Sequence, residues 1–235
     1  GIRRKRKQAI QLADEFLRSV FLDMFGDPVA NPKGWPVHLM KEGMQSITSG
    51  WSAKGESFPC EDDGLGVLKI SAVTSGTFKP SENKTVNRES VPTNKKLIFP
   101  KKGDLIFSRA NTRELVAATC IVQEDRSNVF LPDKLWLIQP NLKYMLPEFL
   151  NFLIWQPKFK EQLTSQATGT SGSMLNISKA KFEATKTFFP DLVTQHKFKD
   201  IYWATQAVLE RKHASDKKVG DLFSSLGSNA FFSRL

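Results

Sequence analysis

Apolar residues near the start of the chain recur at three- and four-residue steps. Between residues 6 and 25 they are Ala9, Ala13, Phe16, Leu17, Val20, Phe21 and Met24. This spacing is the period of an amphipathic helix, which buries one face. Gly26 and the turn-forming residues after it end the pattern, because glycine readily adopts the left-handed conformation at a helix end. We therefore predict a helix over residues 1–26 and a linker over residues 27–34.

Between residues 35 and 190 the pattern changes to short apolar runs separated by turn residues. Runs of this kind, rich in β-branched and aromatic side chains, predict strands. They lie at residues 67–70, 105–107, 117–122, 135–138 and 187–189. Helical spacing returns at residues 146–155, 158–164 and 178–185. Strands and helices mixed in this way predict an α+β domain with a mixed sheet and its own core over residues 35–190.

After Pro190 the chain returns to helical spacing, with alternating four- and three-residue steps from Ile201 to Leu226. A heptad-like seam of this kind is typical of helices that pack on one another. Polar residues interrupt the seam, so the helix needs a packing partner. We predict a long helix over residues 191–235 that packs antiparallel with the first helix as a coiled coil. The residues predicted at this helix-packing interface are Phe16, Leu17, Val20, Met24, Ile201, Val208, Val219, Leu222 and Leu226.

The two predicted helices share a weak internal repeat. The positions that match in order and spacing include Arg6 with Arg211, Lys7 with Lys212, and Leu17 with Leu222. Two amphipathic helices can share such positions by coincidence, whereas duplicated architecture would let them pair within one chain or between two chains. The second reading gives two-fold or pseudo-two-fold symmetry, and a homodimer through the helices is one form of it.

The charge balance favours a polyanionic partner. Lys and Arg total 34 against 24 for Asp and Glu, which gives a formal net charge of +10. Nucleic acid is the leading partner class for such an excess, although excess lysine can also serve only to solvate a surface. The basic run at residues 3–7 is typical of a solvated chain end, and it could also contact an anionic membrane or an acidic partner.

Cysteine usage and hydropathy bear on the compartment. Cys60 and Cys120 lie far apart without CxxC spacing, which argues against a disulfide framework or a structural zinc site and favours a reducing cytoplasm. No apolar run approaches the roughly 18 residues of a membrane-spanning helix, and no secretory signal is visible behind the basic start. We therefore expect a cytoplasmic protein without a membrane partner.

The sequence carries no recognisable catalytic motif. A methyltransferase would need a glycine-rich cofactor loop and an Asn/Asp-Pro-Pro-aromatic motif, and neither is present. The order of Asp191, Glu210 and Lys212 resembles the catalytic motif of a metal-dependent nuclease. On a helix, however, Glu210 and Lys212 lie about 200° apart and cannot share one metal. The three histidines lack the paired spacing of a zinc site. We predict no catalytic residue and no metal site.

Five short strings, taken in their order along the chain, resemble segments of one protein family. They are residues 16–28 (FLRSVFLDMFGDP), 35–39 (WPVHL), 101–109 (KKGDLIFSR), 190–195 (PDLVTQ) and 222–226 (LFSSL). The chain resembles half of a specificity subunit of a Type I restriction-modification system, in which one target recognition domain lies between two helices of the conserved type. It departs from the family in lacking the usual glycine near residues 232–235. Full-length members carry two recognition domains, so the resemblance implies a natural half-subunit or a truncated one.

The resemblance implies a non-catalytic subunit that recognises a DNA sequence. Such a subunit would bind one half of a split target in double-stranded DNA and dock modification subunits on its helices, with restriction subunits joining through them. S-adenosylmethionine, ATP and magnesium would then be bound only by those partner subunits. A stand-alone basic DNA-binding protein is the first alternative, and a nuclease or methyltransferase fragment is the second.

Three polar loops of the predicted recognition domain offer groups that could reach DNA. The first loop (residues 49–55) supplies a lysine. In the second loop (residues 108–113), arginine suits guanine and asparagine suits adenine, although the loop can also be an ordinary polar turn. The third loop (residues 165–173) is rich in small residues that allow close backbone approach. The predicted DNA-binding residues are Lys54, Ser108, Arg109, Asn111, Thr112, Arg113, Thr168, Gly169, Thr170 and Ser171.

Overall fold

The structure is a computed structural model that describes residues 2–169 and 174–232, with side chains at residue 4 and at residues 8–169 and 174–212. The chain forms two compact units. One unit combines Gly1–Met24 with His196–Leu235, and the other is Phe25–Gln195. Among the described residues, no helix is both long enough and apolar enough to cross a membrane.

The described residues form five α-helices and eleven strands. The helices are α1 (Ile2–Phe25), α2 (Pro147–Trp155), α3 (Pro157–Ser165), α4 (Lys179–Ala184) and α5 (Leu192–Phe232). The strands are β1 (Val37–Leu39), β2 (Met44–Ser49), β3 (Gly66–Leu68), β4 (Asn83–Thr85), β5 (Leu105–Ser108), β6 (Ala110–Asn111), β7 (Thr119–Ile121), β8 (Val129–Phe130), β9 (Leu135–Pro140), β10 (Leu175–Asn176) and β11 (Lys186–Phe188). Short 3-10 turns occupy Met40–Gly43, Ile70–Ala72 and Arg88–Ser90.

The strands of the larger unit form two sheets and two separate pairs. The four-stranded sheet has the order β2-β9-β5-β7 and is antiparallel throughout. The three-stranded sheet has the order β4-β3-β8, in which β3 runs antiparallel to β4 and parallel to β8. The pairs are β1 with β11 and β6 with β10. The predicted α+β class is confirmed.

Two of the predicted strands are shorter in the structure than in the prediction. The apolar run at residues 67–70 is a strand only as far as Leu68, because Ile70 begins a 3-10 turn in which the Val73 N–H donates to the Ile70 carbonyl over 3.2 Å. The run at residues 117–122 starts with a left-handed Ala117 (φ 63°), so β7 begins only at Thr119. An apolar run indicates burial, and burial alone does not separate a strand from a buried turn.

Aromatic rings fill the core beside the four-stranded sheet. Phe107 on β5 stacks on Trp136 of β9 with centroids 5.3 Å apart, and Phe182 of α4 packs edge to face with Phe107, with centroids 5.1 Å apart. Helix α2 is attached to β7 by the Trp155 indole, whose N–H donates to the Thr119 carbonyl over 3.0 Å. Because β5 is buried along its whole length, the segment that follows it leaves a rigid base.

The helical unit is held by rings that the predicted packing interface does not include. Phe21 of α1 meets Phe198 of α5 edge to face, with centroids 5.5 Å apart, and both side chains are fully buried. Of the predicted interface residues, Leu17 is buried and Val20, Met24 and Ile201 are half-buried, whereas Phe16 is 51% and Val208 64% exposed. The last two therefore lie outside the contact that α1 and α5 make within one chain. Val219, Leu222 and Leu226 lie outside the residues whose side chains the structure describes.

Candidate nucleic-acid interface

The second loop starts where β5 ends, and its first two residues are held from several sides. Ser108 donates its N–H to the Ala118 carbonyl over 2.8 Å and accepts from the Ala117 N–H over 2.9 Å. Arg109 donates its N–H to the Lys134 carbonyl over 3.1 Å and accepts from the Ile177 N–H over 2.8 Å. The backbone of Arg109 is therefore fixed between the segment before β9 and the residue after β10.

The guanidinium of Arg109 joins two other parts of the domain. Its Nε donates to the Asp133 carbonyl over 2.7 Å, and its Nη1 donates to the Asn176 side-chain oxygen over 2.7 Å. Its Nη2 lies 3.4 Å from the Asp133 carboxylate. The Arg109 side chain is only 24% exposed. An arginine that spans separate acceptors in this way fixes their positions, because its donors form a rigid planar fork.

The first loop contacts the other oxygen of the same carboxylate. The Ser52 hydroxyl donates to Asp133 Oδ1, and it accepts from the Asp133 N–H over 3.2 Å. The loop backbone also lies close to the segment before β9, because the Trp51 N–H donates to the Leu131 carbonyl over 3.0 Å. A Cβ on Gly50 would lie 1.9 Å from the Leu131 carbonyl oxygen, so only glycine fits there.

The third loop joins this arrangement through Asn176. Thr168 and Asn176 form an antiparallel bridge in which each N–H donates to the other's carbonyl over 2.9 Å. A Cβ on Gly169 would lie 2.3 Å from the Met174 carbonyl oxygen, so glycine allows the two sides of this loop to approach. Thr168 and Gly169 are exposed, and the predicted residues Thr170 and Ser171 lie outside the described residues.

The other predicted DNA-binding residues differ in how far they reach solvent. Lys54 and Arg113 are exposed, and Asn111 and Thr112 are half-buried. The Asn111 side-chain oxygen accepts from the Thr112 N–H over 2.9 Å, which is a local turn interaction. Ser108 is fully buried, and its hydroxyl has no hydrogen-bond partner among the described residues. In this structure Ser108 therefore does not offer its hydroxyl to a ligand at the surface.

The charge of the second loop is mixed. Glu114 follows Arg113, and hydrogen bonds from its own backbone N–H and from the Thr112 side chain lower the pKa of its carboxyl. Glu114 therefore stays ionised at neutral pH and offsets part of the positive charge of Arg113. Two lysines follow the residues that bind Arg109: Lys134, next to Asp133, is half-buried, and Lys179, three residues after Asn176, is exposed.

The structure thus brings the described parts of the three predicted loops together around two residues that the sequence did not single out. Asp133 binds Ser52 and Arg109, and Asn176 binds Arg109 and Thr168. Asp133 lies in Pro132-Asp133-Lys134, a turn-like tripeptide just before a strand, and such tripeptides are too common to identify a site. Asn176 follows the third loop, which was predicted to end at residue 173.

The arrangement that imitated a nuclease has structural roles in the described residues. The Asp191 carboxylate accepts from the Thr194 N–H and from the Thr194 hydroxyl, both over 2.8 Å, at the start of α5. Glu210 and Lys212 lie on the helical backbone of α5, which separates their side chains around the axis. Within the described residues, no group of three or more His, Cys, Asp or Glu could hold a metal ion.

The fold resembles that of specificity subunits of Type I restriction-modification systems. The chain aligns over 98% of its length with the HsdS subunit from Thermoanaerobacter tengcongensis, at a TM-score of 0.53 and 17% identity, and covers 53% of that chain. It aligns over 96% of its length with the Type I S subunit from M. genitalium, at a TM-score of 0.55 and 12% identity, and covers 54% of that chain. The chain therefore spans about half the length of these solved subunits.

Sequence similarity points to the same class. The chain is 24% identical over 171 residues to the Type I restriction enzyme EcoEI specificity subunit of Escherichia coli, a match that covers 72% of this chain and 28% of that protein. It is 32% identical over 104 residues to the HindI specificity subunit of Haemophilus influenzae, a match that covers 43% of this chain and 22% of that protein. No protein-family profile matches. The predicted resemblance to Type I specificity subunits is confirmed.

Proposed function

We propose that this chain is the DNA sequence-recognition part of a Type I restriction-modification complex and has no catalytic activity of its own. The larger unit, Phe25–Gln195, binds one half of a split target in double-stranded DNA. The helices of the other unit dock modification subunits and, through them, restriction subunits. S-adenosylmethionine, ATP and magnesium belong to those partners.

The similarity in sequence and fold to specificity subunits carries this proposal. The geometry of the larger unit agrees with it, because the first, second and third loops meet around Asp133 and Asn176. Recognition of a base sequence requires donors and acceptors held in a fixed arrangement, and loops tied to one another on a rigid sheet provide this. The net charge of +10 favours attraction to phosphates.

A second copy of the chain is the proposed partner of the helices, since one recognition domain reads only half of a split site. Leu12, Phe16 and Val208 are 57%, 51% and 64% exposed, so these apolar side chains are uncovered in the single chain. Helices that pair between two copies, as an antiparallel coiled coil or a bundle, would cover them and place two recognition domains in two-fold symmetry.

The proposal is tested by selection from a random duplex DNA library. The purified chain, alone and with its cognate modification subunit, is mixed with the library at near-physiological salt, and the bound DNA is sequenced. We expect enrichment of a defined half-site of about three to five base pairs, or of two half-sites at a fixed spacing where two copies bind.

The same experiment separates the alternatives. Binding that weakens with salt but enriches no sequence would instead identify a stand-alone basic DNA-binding protein. Turnover by the pure chain that requires a metal ion or a methyl donor would identify an enzyme and overturn the proposal.

A further inference from the structure

Arg109 is built into the domain in a way that limits its use as a direct DNA contact. Three of its five N–H donors point to Asp133 and Asn176, through Nε, Nη1 and Nη2. The nearby Asp133 carboxylate offsets its charge. For Arg109 to grip a guanine with both arms of its fork, it would have to release these acceptors, which are partly buried.

Asn176 is the group whose orientation Arg109 determines. A guanidinium offers only donors, so the amide atom that faces it must be the oxygen, and the Nδ2 group then points away from Arg109. In the part of the chain that the structure describes, the Asn176 Nδ2 donates to no other residue. The backbone of Asn176 is paired with Thr168 on one side and Ala110 on the other. The amide therefore presents its two N–H donors from a fixed base.

Fixed donors of this kind have a defined chemical complement. In the major groove of DNA, acceptor atoms lie at N7 and O6 of guanine, N7 of adenine and O4 of thymine, whereas cytosine offers a donor. A side chain held so that it presents donors discriminates against the cytosine amino group, because two donors facing each other leave both unpaired.

We propose that Asn176 is a specificity-determining residue that presents its Nδ2 donors to acceptor atoms on a base edge, and that Arg109 is the positioning residue that orients it. The proposal rests on the function proposed above, namely that the chain reads duplex DNA. It assigns Arg109 a role different from the base contact predicted from the sequence.

The test repeats the library selection with Asn176→Asp, Arg109→Lys and the double variant. Asn176→Asp keeps an oxygen for Arg109 and replaces the donors by an acceptor, so the domain stays folded while the preferred base at one position shifts towards cytosine. Arg109→Lys cannot span both acceptors, so we expect preference at the same position to fall by roughly tenfold. The base preference at this position should fall no further in the double variant than in the single variant with the larger loss, because both changes act through one contact.

Arg88→Lys is the matched control, because Arg88 also spans two acceptors, the Asp63 and Gly64 carbonyls at 3.2 and 3.3 Å, but lies outside the three loops. It should leave the enriched sequence unchanged. Thermal unfolding of each variant establishes that the domain is folded. In Arg109→Gln, which removes the charge, the slope of log affinity against log salt should stay the same, whereas loss of a phosphate contact would reduce it by about one.

The outcomes separate the two proposals. If the unaltered chain enriches no sequence, the proposed function fails. If it enriches a half-site that Asn176→Asp leaves unchanged, the assignment of Asn176 is wrong while the proposed function stands. If Arg109→Lys alters a position that Asn176→Asp does not, Arg109 contacts the DNA itself and is not a positioning residue.

Discussion

The side chain of Gln195 satisfies the backbone at the start of α2, since its Oε1 accepts from the Leu146 N–H over 2.8 Å. Its Nε2 donates to the carbonyls of Tyr144 and Pro190, both over 2.8 Å, and the residue is fully buried. One amide thus pairs three backbone groups from two separate segments. The end of the larger unit is attached to its α2 region by this residue.

Replacement of Gln195 by Ala should therefore destabilise the larger unit. It leaves three backbone groups without their partner, and each unpaired buried group costs about 1–3 kcal/mol, so we expect a loss of about 3 kcal/mol or more in the free energy of unfolding. Urea unfolding measures this loss in the free energy of unfolding. Gln139→Ala is the control, because Gln139 is exposed. Among the described residues, its side chain makes one hydrogen bond, which it accepts from the Ser46 hydroxyl. Equal losses in both variants would contradict the role of Gln195.

Gly50→Ala should also destabilise the larger unit, and it tests the contact of the first loop with the segment before β9. The added methyl group would meet the Leu131 carbonyl oxygen at 1.9 Å, so the backbone must move. We expect a loss of about 1–3 kcal/mol, typical of an overpacked site, in thermal unfolding. Ser49→Ala, the adjacent change, adds no atoms and should have little effect. A Gly50→Ala protein as stable as the unaltered chain would show that the two segments do not approach this closely.

Two phenylalanines of α1 should respond differently to replacement. Phe21 is buried against Phe198, so Phe21→Ala should cost about 3–5 kcal/mol in stability. Phe16 is half exposed, so Phe16→Ser should change the stability of a single chain little but weaken self-association if two copies pair through the helices. Sedimentation equilibrium measures the association. A dimer that Phe16→Ser leaves equally tight would exclude this face of α1 from the interface.

The parts of the fold that could be predicted from the sequence are those in which burial follows a regular pattern. Strands β5 and β9 appear as apolar runs because their positions are mostly buried, and α1 shows a clear helical period. Strand β2 was not predicted, because Ile47 is its one buried residue and the segment shows no apolar run. Its pairing with β9 holds it in the extended conformation. Helical spacing likewise could not show that Phe21 and Phe198, rather than Phe16 and Val208, form the contact within one chain.

The candidate site was predictable as a set of loops but not as an arrangement. Composition identified three polar loops, of which the second follows a predicted strand, and ligand-binding residues often lie in loops. The partners of Arg109 are 24 and 67 residues away along the chain, and no local pattern connects them. Arginine in a loop can contact DNA or make hydrogen bonds within the domain. The two roles are distinguished by its acceptors, and only the fold brings those acceptors together.

Asp191 should make the start of α5 sensitive to acid. Hydrogen bonds from the Thr194 N–H and hydroxyl to its carboxylate lower the pKa of this group below its ordinary value. A lowered pKa in the folded state means that the stabilisation is fully present above the ordinary value, near 4, and is lost as the pH falls through the lower folded pKa. Asp191 is exposed and solvent screens its interactions, so Asp191→Ala should cost about 1 kcal/mol or less near pH 7, and less again near pH 3.

Thr194→Val provides the matching change on the donor side. It removes the hydroxyl donor but keeps the backbone N–H, so the pKa of Asp191, followed by NMR titration, should rise part of the way towards its ordinary value. The loss of stability caused by Asp191→Ala should also be smaller in a chain that already carries Thr194→Val than in the unaltered chain, because the two residues share one interaction. A pKa of Asp191 that Thr194→Val leaves unchanged would mean that the hydroxyl does not hold the carboxylate, and that the backbone N–H of Thr194 accounts for the lowered pKa.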